Sequence, residues 1–338
     1  MSISNARACG LIWPGDQPSS MVSENALVVW NADRHREHLI RSVKFQANGQ
    51  ALGFIVPVPS LPDVADSNSH VFQDLEAELE RQRPVEYKFF FNKQEPVGAS
   101  FGSKGLDSAA VPGSAGVSVV RTFTLEDFDV KVLKADSLEP LELWLTENTF
   151  KMRPALKLWL DNYLSQKWYF VVFKFRNTSH NQEFESKNVR ISFAAQAPIY
   201  PYRDSQDTIP DPQRLLRLYF ISDEPYSTDW PPAQAPETSA TILRFSNIVD
   251  VKSDITEMNL AKNLWLKTWD DSTKIRPDRD LVFKKDKVKI KTLLKAEIRE
   301  PVELEIAVVL LLVIGIFIYA ALGVKRFFKF LTRKIRSS

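Results

Sequence analysis

Residues 26–58 read ALVVWNADRHREHLIRSVKFQANGQALGFIVPV, and the fold turns on how this stretch is parsed. Ala26 to Asn31, Leu39 to Phe45 and Ala51 to Val58 are short, rich in β-branched and aromatic residues, and separated by polar turns such as Asn48-Gly49. That pattern predicts three successive strands in an antiparallel meander. Pro57, Pro59 and Pro62 close the third strand. Proline has no N–H to give to a ladder, so this end lies at a sheet edge or leaves the sheet. A stiff strand exit explains Pro59-Ser-Leu-Pro62 more simply than a PxxP recognition segment.

Working outward, Val71 to Gln82 places Phe72, Leu75 and Leu79 on one helical face, with Ser69 as cap. Val85 to Phe91 returns to strand. Gly98 to Gly116 holds five of the chain's eleven glycines and reads as a flexible loop. Val117 to Leu125 and Phe128 to Leu133 are expected strands, and Leu138 to Asn148 and Ala155 to Gln166 expected helices. The second helix carries Leu156, Trp159, Leu160, Tyr163 and Leu164 on one broad apolar face, with proline in its first turn. WYFVVFKF (168–175) predicts a central strand, and Val189 to Ala195 and Leu215 to Ile221 predict two more. Residues 223–240 contain four prolines and read as a linker or long loop. Residues 241–300 read as a smaller sheet-containing region packed on the first, and the alternating lysines of Lys284 to Lys291 suit an edge strand.

Near the C-terminus, IAVVLLLVIGIFIYAALGV (306–324) has no charge, amide or proline. Its nineteen residues would cover about 28 Å as a helix, close to a bilayer's hydrocarbon core. The expected class is therefore α+β, a mainly antiparallel sheet with a few helices over 9–222, followed by a single transmembrane helix over 302–324. The tail, 325–338, carries Lys325, Arg326, Lys329, Arg333, Lys334 and Arg336 and no acid. It is expected in the cytoplasm by the positive-inside rule, where it can meet anionic lipid head groups. The five basic residues between Lys287 and Glu305 weaken that bias. If Met1 is the true start, the alternative is a tail-anchored protein with a cytosolic domain.

The chain has 338 residues and a net charge of +2, so no global field recruits nucleic acid. Twenty-two phenylalanines and eight tryptophans call for a filled interior. Cys9 is the one cysteine, which excludes an intrachain disulfide. Ala6-Arg-Ala8 before it has the form of a signal-peptidase site, but no apolar segment precedes it, so residues 1–8 read as a signal-peptide remnant or an unstructured start.

Chemistry is sparse. Gly98-Ala-Ser100-Phe-Gly102 matches the G-x-S-x-G letters without the strand-to-helix turn the nucleophile elbow requires. His35-x-x-His38 has a metal-like spacing but falls in a polar turn, where exposed histidines are the simpler reading. Glu139 and Glu142, Asp270-Asp271, Asp278 and Asp280 are read as solvated acids. The aromatic run Trp168 to Phe170 is read as a buried strand. No catalytic, cofactor-binding or metal-ligating residue is assigned, and no cofactor is expected.

Ala26-Leu-Val-Val-Trp30, Gly53-Phe-Ile-Val-Pro-Val-Pro-Ser60, Phe128 to Leu133, Leu141 to Asn148 and Tyr163 to Lys174 resemble a bacterial domain-of-unknown-function family, number twenty-three thirty. Pro198-Ile-Tyr-Pro-Tyr202 continues the resemblance over about 9–222, and Asp280-Leu-Val-Phe283 extends it more weakly. The resemblance implies a signal peptide, a mature start near a Cys-Gly pair such as Cys9-Gly10, and often a membrane span. It implies no activity. The expected function is a membrane-anchored extracytoplasmic binding or assembly module of the cell envelope, with an envelope protein or ligand as partner. The alternative is a membrane-tethered hydrolase whose carboxylates converge only in the folded chain.

Overall fold

A computed structural model of the chain describes residues 10–12, 20–46, 53–82, 116–176, 183–203, 215–229, 238–244, 263–272, 276 and 278–286. All of them lie in one compact unit, residues 1–286. The described residues form sixteen strands and three helices.

The two longest strands, β2 (Ser20–Asn31) and β3 (Arg36–Gln46), pair antiparallel across the turn at residues 32–35. In β2, Ala26, Val28 and Trp30 join one core cluster and Leu27 and Val29 another, so both faces of the strand are covered. Such a strand is uniformly apolar because neither face meets water. β12 (Leu215–Ser222) lies on the far side of β2 and runs parallel to it, from Leu215 opposite Ser23 to Ile221 opposite Val29. Beyond it come β15 (Asn263–Asp271) and β14 (Thr238–Arg244). On the other flank β3 is followed by β10 (Val189–Ala194) and β5 (Asp63–Asp66), with β9 (Glu183–Glu185) also on β3. These eight strands form the large sheet.

The meander expected from the opening stretch stops after two strands. β4 (Gly53–Val58) pairs with β8 (Tyr169–Phe175) and β1 (Gly10–Ile12) in a separate sheet. The described pairing with β1 ends at Ile55, so Pro57 lies where β4 has no neighbour on that side among the described residues. β8 is central there, followed by β7 (Phe128–Ala135) and β6 (Val117–Thr124). A three-stranded sheet, β11 (Ile199–Tyr200), β16 (Leu281–Lys285) and β13 (Tyr226–Thr228), completes the set.

The two larger sheets pack face to face. Phe54 stacks on Phe173 at 4.5 Å and meets Phe45 of the large sheet at 6.0 Å, while Phe45 meets Phe175 edge-on at 5.2 Å. Outside the five-stranded sheet lie α2 (Leu138–Glu147) and α3 (Pro154–Leu164), which bury Leu141, Trp144, Leu156, Trp159 and Tyr163 against Ile55, Phe170 and Val172. Outside the large sheet lies α1 (Val71–Gln82), with Val71, Phe72 and Leu75 on Leu27, Ile40 and Tyr219. Asn68, rather than the expected Ser69, begins α1: its Oδ1 accepts from the His70 N–H at 2.9 Å. The order of layers is helix, sheet, sheet, helix.

The expected class is corrected accordingly. The described chain is mostly sheet with three short helices, and no helix among the described residues is long and apolar enough to cross a membrane. The segment expected to form a transmembrane helix, 302–324, lies outside the described residues, as do 1–8, Cys9, the 98–102 serine motif, Val85 to Phe91 and the basic tail 325–338. Within 223–240 the structure places β13 and the start of β14, and within 241–300 it places β15 in the large sheet and β16 in the small one.

Candidate functional site

Most of the core between the two sheets is hydrocarbon, and against it a polar chain stands out. Glu24 and Arg41 have the same parity along their strands as Ala26, Val28, Leu39 and Val43, so the register turns both inward. Arg41 donates from Nε at 2.7 Å and Nη2 at 2.6 Å to Glu24 Oε1, and both side chains are 1% exposed. The Tyr200 hydroxyl donates to the same oxygen at 2.8 Å. The Arg41 guanidinium also lies 5.4 Å from the Phe54 ring centre, which adds a cation–π contact from the opposing sheet.

β11 carries the chain onward in both directions. The Ile199 N–H donates to Glu37 Oε2 at 2.8 Å, while Glu37 Oε1 accepts no hydrogen bond among the described residues. Burial pushes the Glu37 carboxyl well above its ordinary value, and the Ile199 bond offsets only part of that. Two residues past Tyr200, the Tyr202 hydroxyl donates to Asp271 Oδ2 at 2.7 Å. Arg276 stands 3.4 Å from that oxygen and 4.6 Å from the Tyr202 ring centre. Pro198-Ile-Tyr-Pro-Tyr202 thus links three buried acids, Glu37, Glu24 and Asp271.

The remaining acids singled out from the sequence separate onto different partners. Glu142 pairs with Lys157, and Asp270 takes a two-bond grip on Arg217 at 2.6 and 2.7 Å. Arg217 also reaches Glu76 at 2.8 Å, which ties α1 to the large sheet. Asp278 pairs with Arg203 at 3.0 Å. Asp280 accepts from the Tyr163 hydroxyl at 2.9 Å and the Arg203 N–H at 3.1 Å, and burial raises its carboxyl above the usual range.

The histidine pair divides. His35 is exposed in the turn, where it holds a left-handed φ of 47°. His38, expected to be exposed, lies in β3 at 2% exposure, because the strand begins at Arg36 rather than Leu39. Its Nδ1 is 2.8 Å from Ser192 Oγ, and Nε2 has no hydrogen-bond partner among the described residues. Burial first, then the charges of Arg190 and Arg36, push its imidazole down to about 3, so the ring is neutral. Among the described residues, no three His, Cys, Asp or Glu side chains are grouped to hold a metal ion.

The family described as "uncharacterized protein conserved in bacteria" (DUF2330) matches residues 3–239. The chain belongs to that family. The DUF2330 match spans Glu24, Glu37, Arg41, Tyr200 and Tyr202, whereas Asp271 and Arg276 fall beyond it. No curated protein matches this DUF2330 chain. Among solved structures it is similar to the crystal structure of baculovirus P35, with 8% identity and a TM-score of 0.39, over 82% of this chain and 100% of that one.

Proposed function

We propose that this chain is a non-enzymatic binding or assembly module of the bacterial cell envelope, anchored at the membrane through its C-terminal sequence, with the sheet-rich body outside the cytoplasm. The observation that carries the reading is the Glu24–Arg41–Tyr200 cluster. The acids that the fold gathers lie between the sheets, matched to structural partners, rather than in a cleft where a substrate would meet a general acid and base. That arrangement favours a scaffold whose outer faces do the work over a hydrolase built on converging carboxylates. The uncharged run at 306–324, followed by the basic 325–338, supports the placement at a membrane.

An impermeant amine label applied to intact spheroplasts tests the placement, with Lys284 as reporter because its side chain is 71% exposed. Labelling of Lys284 while a cytosolic marker stays unlabelled is the expected result. Protection of Lys284 until the cells are lysed would overturn the extracytoplasmic reading. Separately, Glu24→Gln, Glu37→Gln and Asp271→Asn chains that remain folded should restore a deletion strain as fully as the wild type. Loss of restoration with folding intact would favour the hydrolase.

A further inference from the structure

On the outer face of the large sheet, β3 and β10 bring four polar side chains into one short patch. The register sets Arg36 opposite Ala194, His38 opposite Ser192 and Ile40 opposite Arg190. Residues directly opposite each other share a face, as do residues two apart on one strand. The His38–Ser192 row is therefore flanked along the strands by a guanidinium on each side, Arg36 on β3 and Arg190 on β10. With burial, these two cations repel the protonated imidazole and keep the ring neutral.

Donors and acceptors sharpen the point. Among the described residues, the Ser192 hydroxyl has one partner, His38 Nδ1 at 2.8 Å. If that hydroxyl donates, Nδ1 accepts and the ring's proton sits on Nε2, leaving a single unused group. The opposite tautomer leaves both the serine proton and the Nε2 lone pair unused, so the first is favoured. Nε2–H is then a buried donor with no acceptor among the described residues, in a residue 2% exposed. A donor left this way is costly to bury. Arg190 is half-buried, and among the described residues no hydrogen bond or ion pair to it is found. On β5, opposite Ser192, stands the exposed Asp63, which sits 3.6 Å from Arg121.

We propose that Arg36 and Arg190, with the His38–Ser192 pair between them, form a binding site for a small oxyanion of the phosphate class. Arg190 supplies a planar fork of donors suited to such an anion, Arg36 a second positive charge, and His38 Nε2–H a third direction of donation. Neutral His38 donates through Nε2 without requiring a proton from solution. The anion would in turn offset the repulsion between the two guanidiniums.

Inorganic phosphate is the probe. It is titrated into the full-length chain against sodium chloride at matched ionic strength, with the His38 imidazole followed by nitrogen-edited NMR. The expected result is a saturable shift of the Nε2–H signal with phosphate and none with chloride. Arg190→Gln and Arg36→Gln should each weaken binding by about tenfold or more, since each removes a charge-assisted contact. Arg190→Gln removes no existing bond, so its fold should persist, and far-UV circular dichroism checks both variants. Lys284→Gln, on the small sheet, should bind as the wild type does. A His38 signal indifferent to phosphate overturns the proposal, as does an equal response to chloride or undiminished binding in both folded arginine variants.

Discussion

Arg41 donates two hydrogen bonds to one oxygen of Glu24, at 2.7 and 2.6 Å, with both side chains 1% exposed between the two sheets. Removing charges from water is costly, and the pair offsets that cost only while both members are present. Glu24→Gln or Arg41→Met alone should lower unfolding free energy by about 3–5 kcal/mol, because each strands a buried partner. The combined Glu24→Leu, Arg41→Met chain should recover most of that loss. Urea denaturation of the three variants measures it, and a double variant as unstable as the sum of the singles would contradict this account of the pair.

His38 gives stability that acid removes. Its folded imidazole is held down to about 3 against an ordinary 6.5, so below 6.5 the unfolded chain binds a proton that the folded chain refuses. The contribution is complete above pH 6.5 and is lost as pH falls toward 3, at about 1.4 kcal/mol per pH unit within that window. His38→Gln should flatten the stability curve there. Urea midpoints at a series of pH values between those limits provide the check.

Glu37 acts with the opposite sign. Its folded carboxyl is raised above the ordinary 4.5, so the folded chain keeps a proton that the unfolded chain releases. Its contribution is complete below about 4.5 and fades as pH climbs from there through the raised folded value. Glu37→Gln keeps an acceptor for the Ile199 N–H without a charge to bury. Its stability relative to wild type should therefore grow with pH, and unchanged differences in urea midpoint between mildly acidic and alkaline buffers would refute that.

Gly116 opens β6 with φ +91°, and a Cβ built there would stand 2.7 Å from Pro140 Cγ, in the first turn of α2. Gly116→Ala combines a disfavoured backbone with a clash that a proline ring cannot swing away from. It should cost about 1–3 kcal/mol and lower the thermal midpoint.

Arg217 holds Asp270 with two bonds and Glu76 with a third. Arg217→Lys keeps the charge but loses the fork. The group is about one-third exposed, so solvent screening limits the global loss to about 1 kcal/mol. Hydrogen exchange should show the effect locally, as faster opening of α1 than of α2 or α3.

Legibility followed locality. WYFVVFKF could be placed at a sheet centre because alternate residues are apolar on both faces, and β8 serves two cores, Phe173 facing the other sheet and Phe170 the helices. Val71 to Gln82 was legible because a helix's contacts recur within one turn. What could not be read was which strand pairs with which. The polar turn after β3 gives no sign that β4 enters another sheet, and nothing near Leu215 indicates parallel pairing with Ser23. The buried polar chain left one faint mark: Arg41 falls on the same parity as Leu39, Val43 and Phe45, where a solvated charge does not belong. Its partners, Glu24 and Tyr200, come from elements that only tertiary pairing brings near.

The parallel pairing of β2 with β12 sets a timetable for the growing chain. Trp30 bonds to Tyr226 across a separation of 196 residues, and one edge of β2 stays open until β12 has been made. Contacts of such range close slowly, and until they close the apolar faces of β2 and β3 are exposed to other chains. A polypeptide stopped short of Leu215 would carry an open strand edge at the centre of its largest sheet. Full pairing of the central strand β2 thus waits until β12 has been synthesised.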